Sequence, residues 1–509
     1  MRKCVISVAI VAALASSTAS AEPATPAEAT ANRTFNEDGD IGAYAPSVTR
    51  QAGTFHGQKI RYTTTAGRIP ITGPDGSIDA QVFYVAYTKD GVPPGQRPII
   101  FLTNGGPGAA TAWLHMGGVG PRKIVLNADG SVPPPPARLM DNTDSPLDRA
   151  DLVFIDAPGT GFSRVANEQT KARLYSRDGD LQAYAAFIQN YLRSNNRFGS
   201  PMYLWGESYG AFRVAGLSDV LVRQGIPLKG VILLSSALDF HVTEPGMTND
   251  LPYQLLLPSY ASVAAFHGLL PGLKDDDAMR REVEDWSLNV YGPALAKGSR
   301  LGGEERAKIV AGLVRYTGLE ASVIEMHNLR IEVPEFMKYL HAARRLVTGR
   351  VDGRLLGPAP EARVEEPFYD PAMGALTPAF SSATSQYLLE ELRVDIPVPY
   401  RMYSRDVATR FALAGPARYG QLGYPETLGA LQSTFVKDSN FRILSMQGLY
   451  DLATPFASME FALDHMPVPH DYLANIVHVR LPAGHMAYDD AAALKQMNQA
   501  VVSFLDSAK

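Results

Sequence analysis

Short apolar runs of strand length occur in the first and last parts of this chain, whereas helical periodicity dominates its middle. Residues 59–65 and 80–88 alternate polar and apolar positions and are rich in β-branched and aromatic side chains, and Gly-Pro-Asp-Gly at 73–76 separates them. This pattern predicts two antiparallel strands joined by a turn. Four further runs are apolar at nearly every position, which is typical of strands buried on both faces of a parallel sheet. They are 98–102, 152–155, 202–205 and 231–234.

Helical patterns at 181–192 and 209–222 lie between the later runs, and this alternation predicts a parallel sheet covered by helices. After Phe240 the pattern changes. Amphipathic helical stretches, such as 309–316 and 334–346, are interrupted by Pro/Gly-rich breaks, and no strand alternation is sustained. We therefore expect a long, mainly helical insertion in this part of the chain.

The strand pattern returns near the end of the sequence. Runs at 442–446 and 475–481 are typical of strands, and a helical pattern covers about 490–505. One sheet built from two separated segments is therefore expected. The expected domains are a first core segment 49–240, an inserted helical lid 241–435 and a second core segment 436–509.

The first residues are typical of an export signal. Arg2-Lys3 precede an apolar run at 4–15, and Ala19-Ser20-Ala21 matches the small-x-small cleavage pattern. A signal peptide over 1–21 is predicted, with a buried N-terminal helix as the alternative. Residues 22–48 are rich in Ala, Thr, Pro and Glu without periodicity, which predicts a flexible linker. An exported protein, periplasmic or secreted, is expected, with no membrane association after cleavage.

Composition narrows the classes of function. The 509 residues carry 47 Lys and Arg against 52 Asp and Glu, a net charge of −5, and no basic run is present. A nucleic-acid partner is therefore not expected, because phosphate binding needs a dense basic surface. The sole cysteine is Cys4, within the predicted signal peptide, so no disulfide within the chain and no cysteine-based metal site is expected.

A candidate nucleophile follows the run at 202–205. Gly206-Glu-Ser208-Tyr-Gly210 has the G-x-S-x-G spacing of a nucleophile elbow and opens a helical pattern. The turn is so tight that glycines must flank the serine, whose hydroxyl then stands clear at the end of the strand. This context predicts an α/β-hydrolase fold.

A catalytic serine needs a base and an acid that orients it, and in this fold the acid and then the histidine follow the serine. Asp451 comes directly after the strand at 442–446, and His485 comes after the strand at 475–481. Both therefore belong at the sheet edge where Ser208 is expected. The competing residues lie inside a strand or in a helix-to-loop region: His478, His465, His470, Asp464 and Asp471.

The segment Asn104-Gly-Gly-Pro-Gly108 follows another predicted strand. It is either a structural turn or a loop that donates one backbone N–H to a tetrahedral oxyanion, the second coming from Tyr209 after the nucleophile. A nucleotide-binding loop is not favoured, because no Gly-Lys-Ser/Thr follows.

Five motifs, taken in their order along the chain, resemble those of the serine carboxypeptidase family (peptidase family S10). They are Asn104–Gly108, Gly159-Thr-Gly-Phe-Ser163, Gly206–Gly210, Asp451 and Gly484-His-Met486. The segments 113–122 and 450–456 are similar to its bacterial, disulfide-free branch.

The resemblance implies a role for each matching residue. Ser208 would be the nucleophile, His485 the base and Asp451 its orienting acid. Gly106 and Tyr209 would form the oxyanion hole. Asn104, Gly105 and Glu207 would hold the terminal carboxylate of a peptide with a free C-terminus, and no cofactor or metal would be needed.

The sequence departs from this family pattern at Leu102, at Ala109-Ala110 and, above all, at Gly118, where many members carry a second glutamate. Glu207 is then expected to ionise more readily, and a nearby Arg122 or Lys123 would act in the same direction. The expected activity is hydrolysis of the C-terminal peptide bond through an acyl-enzyme. Two alternatives are an esterase, amidase or acyltransferase with the same triad, and a non-catalytic binding protein with this fold.

Overall fold

A mixed β-sheet organises the protein, and strands from two separated parts of the sequence contribute to it. The computed structural model describes residues 40–359, 370–413 and 423–507. The predicted signal peptide and residues 22–39 of the predicted linker lie outside these ranges. The linker was expected to extend to residue 48, but the first strand already begins at Ser47.

In the described ranges the main sheet has the strand order β1-β2-β3-β7-β4-β9-β10-β13-β14, with β8 paired to β3, while β5–β6 and β11–β12 form separate pairs. The strands are β1 Ser47–Phe55, β2 Gln58–Thr72, β3 Ile78–Lys89, β4 Ile99–Thr103, β5 Arg122–Ile124, β6 Leu139–Asp141, β7 Asp151–Ile155, β8 Arg164–Val165, β9 Met202–Glu207, β10 Gly230–Leu234, β11 Leu346–Thr348, β12 Leu356–Pro358, β13 Arg442–Gly448 and β14 Ile476–Leu481.

The first three strands are antiparallel. The hairpin predicted around 73–76 is present, and it pairs Tyr62 of β2 with Lys89 of β3. In β1 exposed and half-buried residues alternate, because β1 is an edge strand with one face towards solvent.

The strands β7, β4, β9, β10, β13 and β14 run parallel. Strands β4, β7 and β10 are buried at every position, as their continuous apolar runs predict. Although β10 and β13 are far apart in the sequence, they are neighbours and pair Leu234 with Met446. Because parallel strands point the same way, the loops after β4, β9, β13 and β14 meet at one edge of the sheet.

Helices cover both faces of the sheet, with Phe187 and Val214 in the core on one face and Met497 and Phe504 in the core on the other. None of the helices in the described ranges is both long and apolar enough to span a membrane. The α-helices are α1 Ala112–Leu114, α2 Glu168–Leu174, α3 Arg177–Ser194, α4 Tyr209–Arg223, α5 Leu251–Phe266, α6 Asp277–Trp286, α7 Gly292–Leu295, α8 Gly303–Thr317, α9 Ala321–Met326, α10 Val333–Tyr339, α11 Pro371–Gln386, α12 Arg405–Arg410, α13 Leu428–Lys437, α14 Phe456–Asp464, α15 His470–Leu473 and α16 Ala491–Asp506.

The helices between β10 and β13 pack in two different ways. Helices α5 to α10 contribute to a core of their own, which contains Tyr260 and Phe336. By contrast, Phe380 of α11 and Phe435 of α13 belong to the two cores that flank the main sheet. The boundary expected at residue 435 therefore lies inside α13, a helix that packs with the sheet.

One helix was expected to be longer than it is. The amphipathic stretch 334–346 is α-helical only as far as Tyr339, where α10 ends, and a short 3₁₀ turn Ala342–Arg344 follows. The chain then enters β11, whose Val347 pairs with Gly357 of β12. This pairing competes with the helix and is not visible in the local periodicity.

Candidate active site

Ser208 occupies the tight turn between β9, which ends at Glu207, and α4, which begins at Tyr209. Its backbone has φ 60° and ψ −130°, a conformation that costs energy for any residue with a side chain. The turn is tight enough that a Cβ on Gly206 would collide with the carbonyl group of Gly210. Ser208 is half-buried, while its two neighbours are buried. Its hydroxyl is therefore accessible at the edge of the sheet.

Asp451 and His485 form a direct pair at the same edge. His485 Nδ1 lies 2.7 Å from Asp451 Oδ2, and Asp451 is fully buried. The other oxygen of Asp451 accepts hydrogen bonds from the backbone N–H groups of Ala453 and Thr454, at 2.7 Å and 3.0 Å. The hydroxyl of Thr454 also donates to Asp451 Oδ2, at 2.6 Å. These contacts fix the carboxylate so that it can orient the imidazole ring.

Opposing effects act on the pKa of His485. Burial alone would lower it, but the Asp451 carboxylate, the hydrogen bond to that carboxylate and the nearby Glu207 outweigh burial, so the pKa lies above its ordinary value. A histidine with this pKa is a stronger base, as a group that accepts a proton from a serine needs to be.

The serine turn and the histidine loop are tied to consecutive residues at the end of β10. The N–H of Ser208 donates to the carbonyl oxygen of Leu234, at 3.0 Å. The hydroxyl of Ser235 donates to the carbonyl oxygen of His485, at 2.6 Å. The structure therefore brings Ser208, Asp451 and His485, expected from distant parts of the sequence, to one edge of the sheet.

The Asn104–Gly108 loop packs directly against the start of α4. A Cβ on Gly105 would collide with the backbone nitrogen of Tyr209, so only glycine allows this approach. Gly106 is exposed and has φ 104°, a left-handed conformation that favours glycine. The loop thus stands beside the N–H of Tyr209, which is the placement that a two-donor oxyanion hole requires.

A buried ion pair supports this loop from below. Arg213 Nη1 donates to the carbonyl oxygen of Asn104 at 2.6 Å and to the hydroxyl of Thr103 at 2.7 Å. Its Nε donates to Asp180 at 2.7 Å, and both charged side chains are almost completely buried. Since Arg213 belongs to α4, the helix that follows the nucleophile also holds the backbone of the glycine-rich loop.

Glu207, the residue before the serine, is a buried carboxyl group close to His485. Burial raises its pKa to about 7, although His485, Tyr488 and Asn104 all lower it. Tyr488 donates its hydroxyl to Glu207 Oε1 at 3.0 Å. Within the described residues, Glu207 Oε2 is buried and has no hydrogen-bond partner. A buried oxygen of this kind is available to a ligand.

Burial is the largest effect on Glu207, so its pKa lies above the ordinary value, and the effect expected from the missing second glutamate stays a prediction. The two basic residues expected to act on it are also engaged elsewhere. Arg122 forms ion pairs with Asp141 at 2.6 Å and with Glu391 at 2.9 Å. The pKa of Lys123 is lowered by burial and raised by Asp144, not by Glu207.

The competing histidine in β14 has a different environment. His478 Nε2 lies 3.4 Å from Asp464 Oδ1, and that carboxylate is largely exposed. This pair is on β14 and α14, whereas Ser208 follows β9.

A short segment of the insertion, residues 350–354, braces the acid and histidine loops together. The N–H of Leu452 donates to the carbonyl oxygen of Arg350, and the N–H of His485 donates to that of Val351. Arg354 then donates to the carbonyl oxygen of Pro482 and forms ion pairs with Asp352 and Asp490. Sequence reasoning missed this support, because it depends on an insertion without a recognisable motif.

Arg354→Met should therefore destabilise the protein by about 3–5 kcal/mol, since it leaves the buried Asp352 and the partly buried Asp490 unpaired. Arg306→Met is the matched control, because the ion pair of Arg306 with Glu325 is exposed and its loss should cost about 0–1 kcal/mol. Urea unfolding measures both values. Equal losses in the two variants would contradict the bracing role of Arg354.

The fold and the turn at Ser208 define the class of protein. A mostly parallel sheet flanked by helices, with a serine on a strained strand-to-helix turn, is the α/β-hydrolase architecture. A solved structure supports this class. It is KEX1(delta)p, a prohormone-processing carboxypeptidase from Saccharomyces cerevisiae, which aligns with this chain at a TM-score of 0.54 and 17% sequence identity. The alignment covers 88% of this chain and 91% of that one. The predicted fold class is confirmed.

Sequence comparison finds similarity to one family in the first part of the chain. The serine carboxypeptidase family model (Peptidase_S10) matches residues 58–260. The pheromone-processing carboxypeptidase KEX1 of Cryptococcus gattii is 27% identical over 226 residues, which are 43% of this chain and 32% of the relative. Serine carboxypeptidase-like 9 of Arabidopsis thaliana is 29% identical over 140 residues, 26% of this chain and 30% of the relative. The chain is thus similar to serine carboxypeptidases over residues 58–260, and its matches span about a third of the length of these relatives.

Proposed function

We propose that the protein is a serine-type carboxypeptidase, which hydrolyses the C-terminal peptide bond of a peptide through an acyl-enzyme on Ser208. The observation that carries this proposal is the buried carboxyl group of Glu207 next to the serine, with one oxygen free of partners among the described residues. The match of residues 58–260 to the serine carboxypeptidase family model supports the same substrate class. The predicted signal peptide supports an exported protein, periplasmic or secreted, and a mature N-terminus at Glu22 would check it.

In the proposed mechanism Ser208 Oγ attacks the carbonyl carbon of the last peptide bond while His485 takes the hydroxyl proton. The N–H groups of Gly106 and Tyr209 donate hydrogen bonds to the oxyanion. Each of these hydrogen bonds stabilises the transition state by about 3 kcal/mol. The C–N bond then breaks, and His485 gives its proton to the leaving amine. Water activated by His485 next hydrolyses the ester and regenerates Ser208.

The terminal carboxylate of the substrate is bound by Asn104, Gly105 and protonated Glu207. A neutral carboxyl group can donate its O–H to a carboxylate, whereas an ionised one repels it. The pKa of about 7 therefore keeps Glu207 competent at acidic pH and progressively less so above neutrality. An esterase or an acyltransferase with the same triad has no need of this second carboxyl group.

Turnover of a blocked dipeptide and of its C-terminal amide tests the proposal. We expect kcat/KM for the free acid to exceed that for the amide by at least about tenfold at mildly acidic pH, since one charge-assisted hydrogen bond is worth about 1.5 kcal/mol or more. Equal turnover would favour an esterase or amidase. Failure of a fluorophosphonate to label Ser208 in folded protein would favour a non-catalytic binding protein.

Asp451→Asn should lower kcat by about 10⁴-fold, less than loss of the nucleophile, because an amide stabilises the wrong tautomer of His485. Thr454→Val is the matched control, since it removes one hydroxyl donor to Asp451 but keeps the carboxylate. Steady-state kinetics on the same dipeptide measures both. A loss in Asp451→Asn no greater than that in Thr454→Val would contradict the orienting role of Asp451.

A further inference from the structure

A buried tyrosine, Tyr488, contacts the proposed carboxylate-binding groups and has no part in the mechanism above. It lies in the short 3₁₀ turn Ala487–Asp489, just after His485 in the sequence. Its hydroxyl donates to Glu207 Oε1 at 3.0 Å and also interacts with the side chain of Asn104. One phenol therefore links two of the three residues proposed to hold the substrate's carboxylate.

The orientation of Asn104 determines the direction of these hydrogen bonds. Asn104 Oδ1 already accepts from the N–H of Leu114 at 2.9 Å, so its amide NH₂ group is the part free to donate towards Tyr488. The hydroxyl of Tyr488 then donates onwards to Glu207 Oε1. Asn104 also interacts directly with Glu207, so the three side chains form one network.

Two neighbouring glycines allow close packing around Tyr488, and one of them makes room for its ring. A Cβ on Gly117 would collide with the ring of Tyr488, and one on Gly118 would collide with Leu494. Gly118 is also the position where many serine carboxypeptidases carry a second glutamate. In this chain a neutral phenol, from a different loop, is therefore the partner of Glu207.

We propose that Tyr488 is a positioning residue that directs the acidic proton of Glu207 onto Oε2, the oxygen that faces the substrate's terminal carboxylate. A protonated carboxyl group has one O–H, and an oxygen that accepts from Tyr488 leaves that proton on the other oxygen. Glu207 Oε2 has no partner among the described residues, so the proton is available to a ligand. The inference rests on the proposed function.

Several groups set the titration of Glu207 besides Tyr488. His485 and Asn104 lower its pKa, and Asp451 raises it, while burial is the largest effect. Asp489, also buried, is close enough to Glu207 for their charges to interact. Since Tyr488 donates to the carboxylate and so favours the charged form, its removal should raise the pKa of Glu207 further.

Tyr488→Phe removes only the hydroxyl and tests the proposal. Tyr387→Phe is the matched control, since Tyr387 is equally buried but its hydroxyl bonds to that of Tyr87, at 2.8 Å. The measurement is the ratio of kcat/KM for a blocked dipeptide to that for its amide, as a function of pH. Tyr488→Phe should lower this ratio about tenfold at acidic pH, which is the effect of losing one hydrogen bond. The pH at which the ratio declines should also be higher than in the wild-type protein.

An unchanged ratio and an unchanged midpoint in Tyr488→Phe would overturn the proposal, as would the same changes in Tyr387→Phe. A wild-type protein without any free-acid preference would instead refute the proposed function. In that case an infrared titration of the Glu207 carboxyl band, identified by its loss in Glu207→Gln, decides the role of Tyr488 alone. An upward shift of that titration in Tyr488→Phe supports the role, and an unshifted one refutes it.

Discussion

Replacing Ser208 or His485 by alanine should lower kcat/KM by about 10⁴- to 10⁶-fold and leave the fold intact. Without the serine there is no acyl-enzyme, and without the histidine the hydroxyl keeps its proton. Because the members of a triad act as a unit, the double variant should lose about as much activity as either single variant. Steady-state kinetics with a blocked dipeptide measures the loss, and thermal unfolding checks that the fold is retained.

His478→Ala is the matched control for the histidine. His478 lies in β14, the strand that precedes His485, and pairs with Asp464. Its replacement should change kcat/KM by less than about threefold, since it does not contact the reacting groups. If His478→Ala were as inactive as His485→Ala, His485 would not be the base.

Glu207→Gln should abolish the pH dependence of the free-acid preference. In the wild-type protein the preference is complete at acidic pH and declines through a pH of about 7 as Glu207 loses its proton. A glutamine cannot ionise and offers an N–H in place of the carboxyl O–H. The ratio of kcat/KM for acid and amide substrates should therefore become flat with pH, and smaller by about tenfold at acidic pH.

The same variant should also shift the titration of the base. His485 must be neutral to act, so kcat/KM for the amide rises as pH increases through the pKa of His485, which lies above 6.5. An ionised Glu207 raises this pKa, and glutamine does not. In Glu207→Gln, kcat/KM for the amide substrate should therefore begin to rise at a lower pH than in the wild-type protein.

Glu284→Gln is the matched control for these pH profiles. Glu284 is also a partly buried carboxyl group with a raised pKa, but its ion-pair partner is Arg480 of β14 and not a residue of the triad. Its profile should coincide with that of the wild-type protein. An acid-to-amide ratio in Glu207→Gln that followed the wild-type curve would refute carboxylate binding by Glu207.

Local patterns were enough to predict the turn at Ser208 and the strands of the main sheet except β1 and β8. Buried parallel strands are continuous apolar runs, and a serine flanked by glycines between a strand and a helix is typical of a nucleophile elbow. The positions of Asp451 and His485 followed from one topological rule, that parallel strands end at the same edge. The extent of α10 was mispredicted because the competing β11–β12 pairing depends on residues outside the local window.

The sequence by itself thus determined the class of fold and the residues proposed to react, because each depends on spacing along the chain or on the direction of strands. Only the tertiary structure decided the protonation of Glu207, its contact with Tyr488 and the bracing of both catalytic loops by residues 350–354. The physical reason is that burial and hydrogen bonding are properties of the assembled neighbourhood. Residues from four distant segments create that neighbourhood, and no single segment carries its pattern.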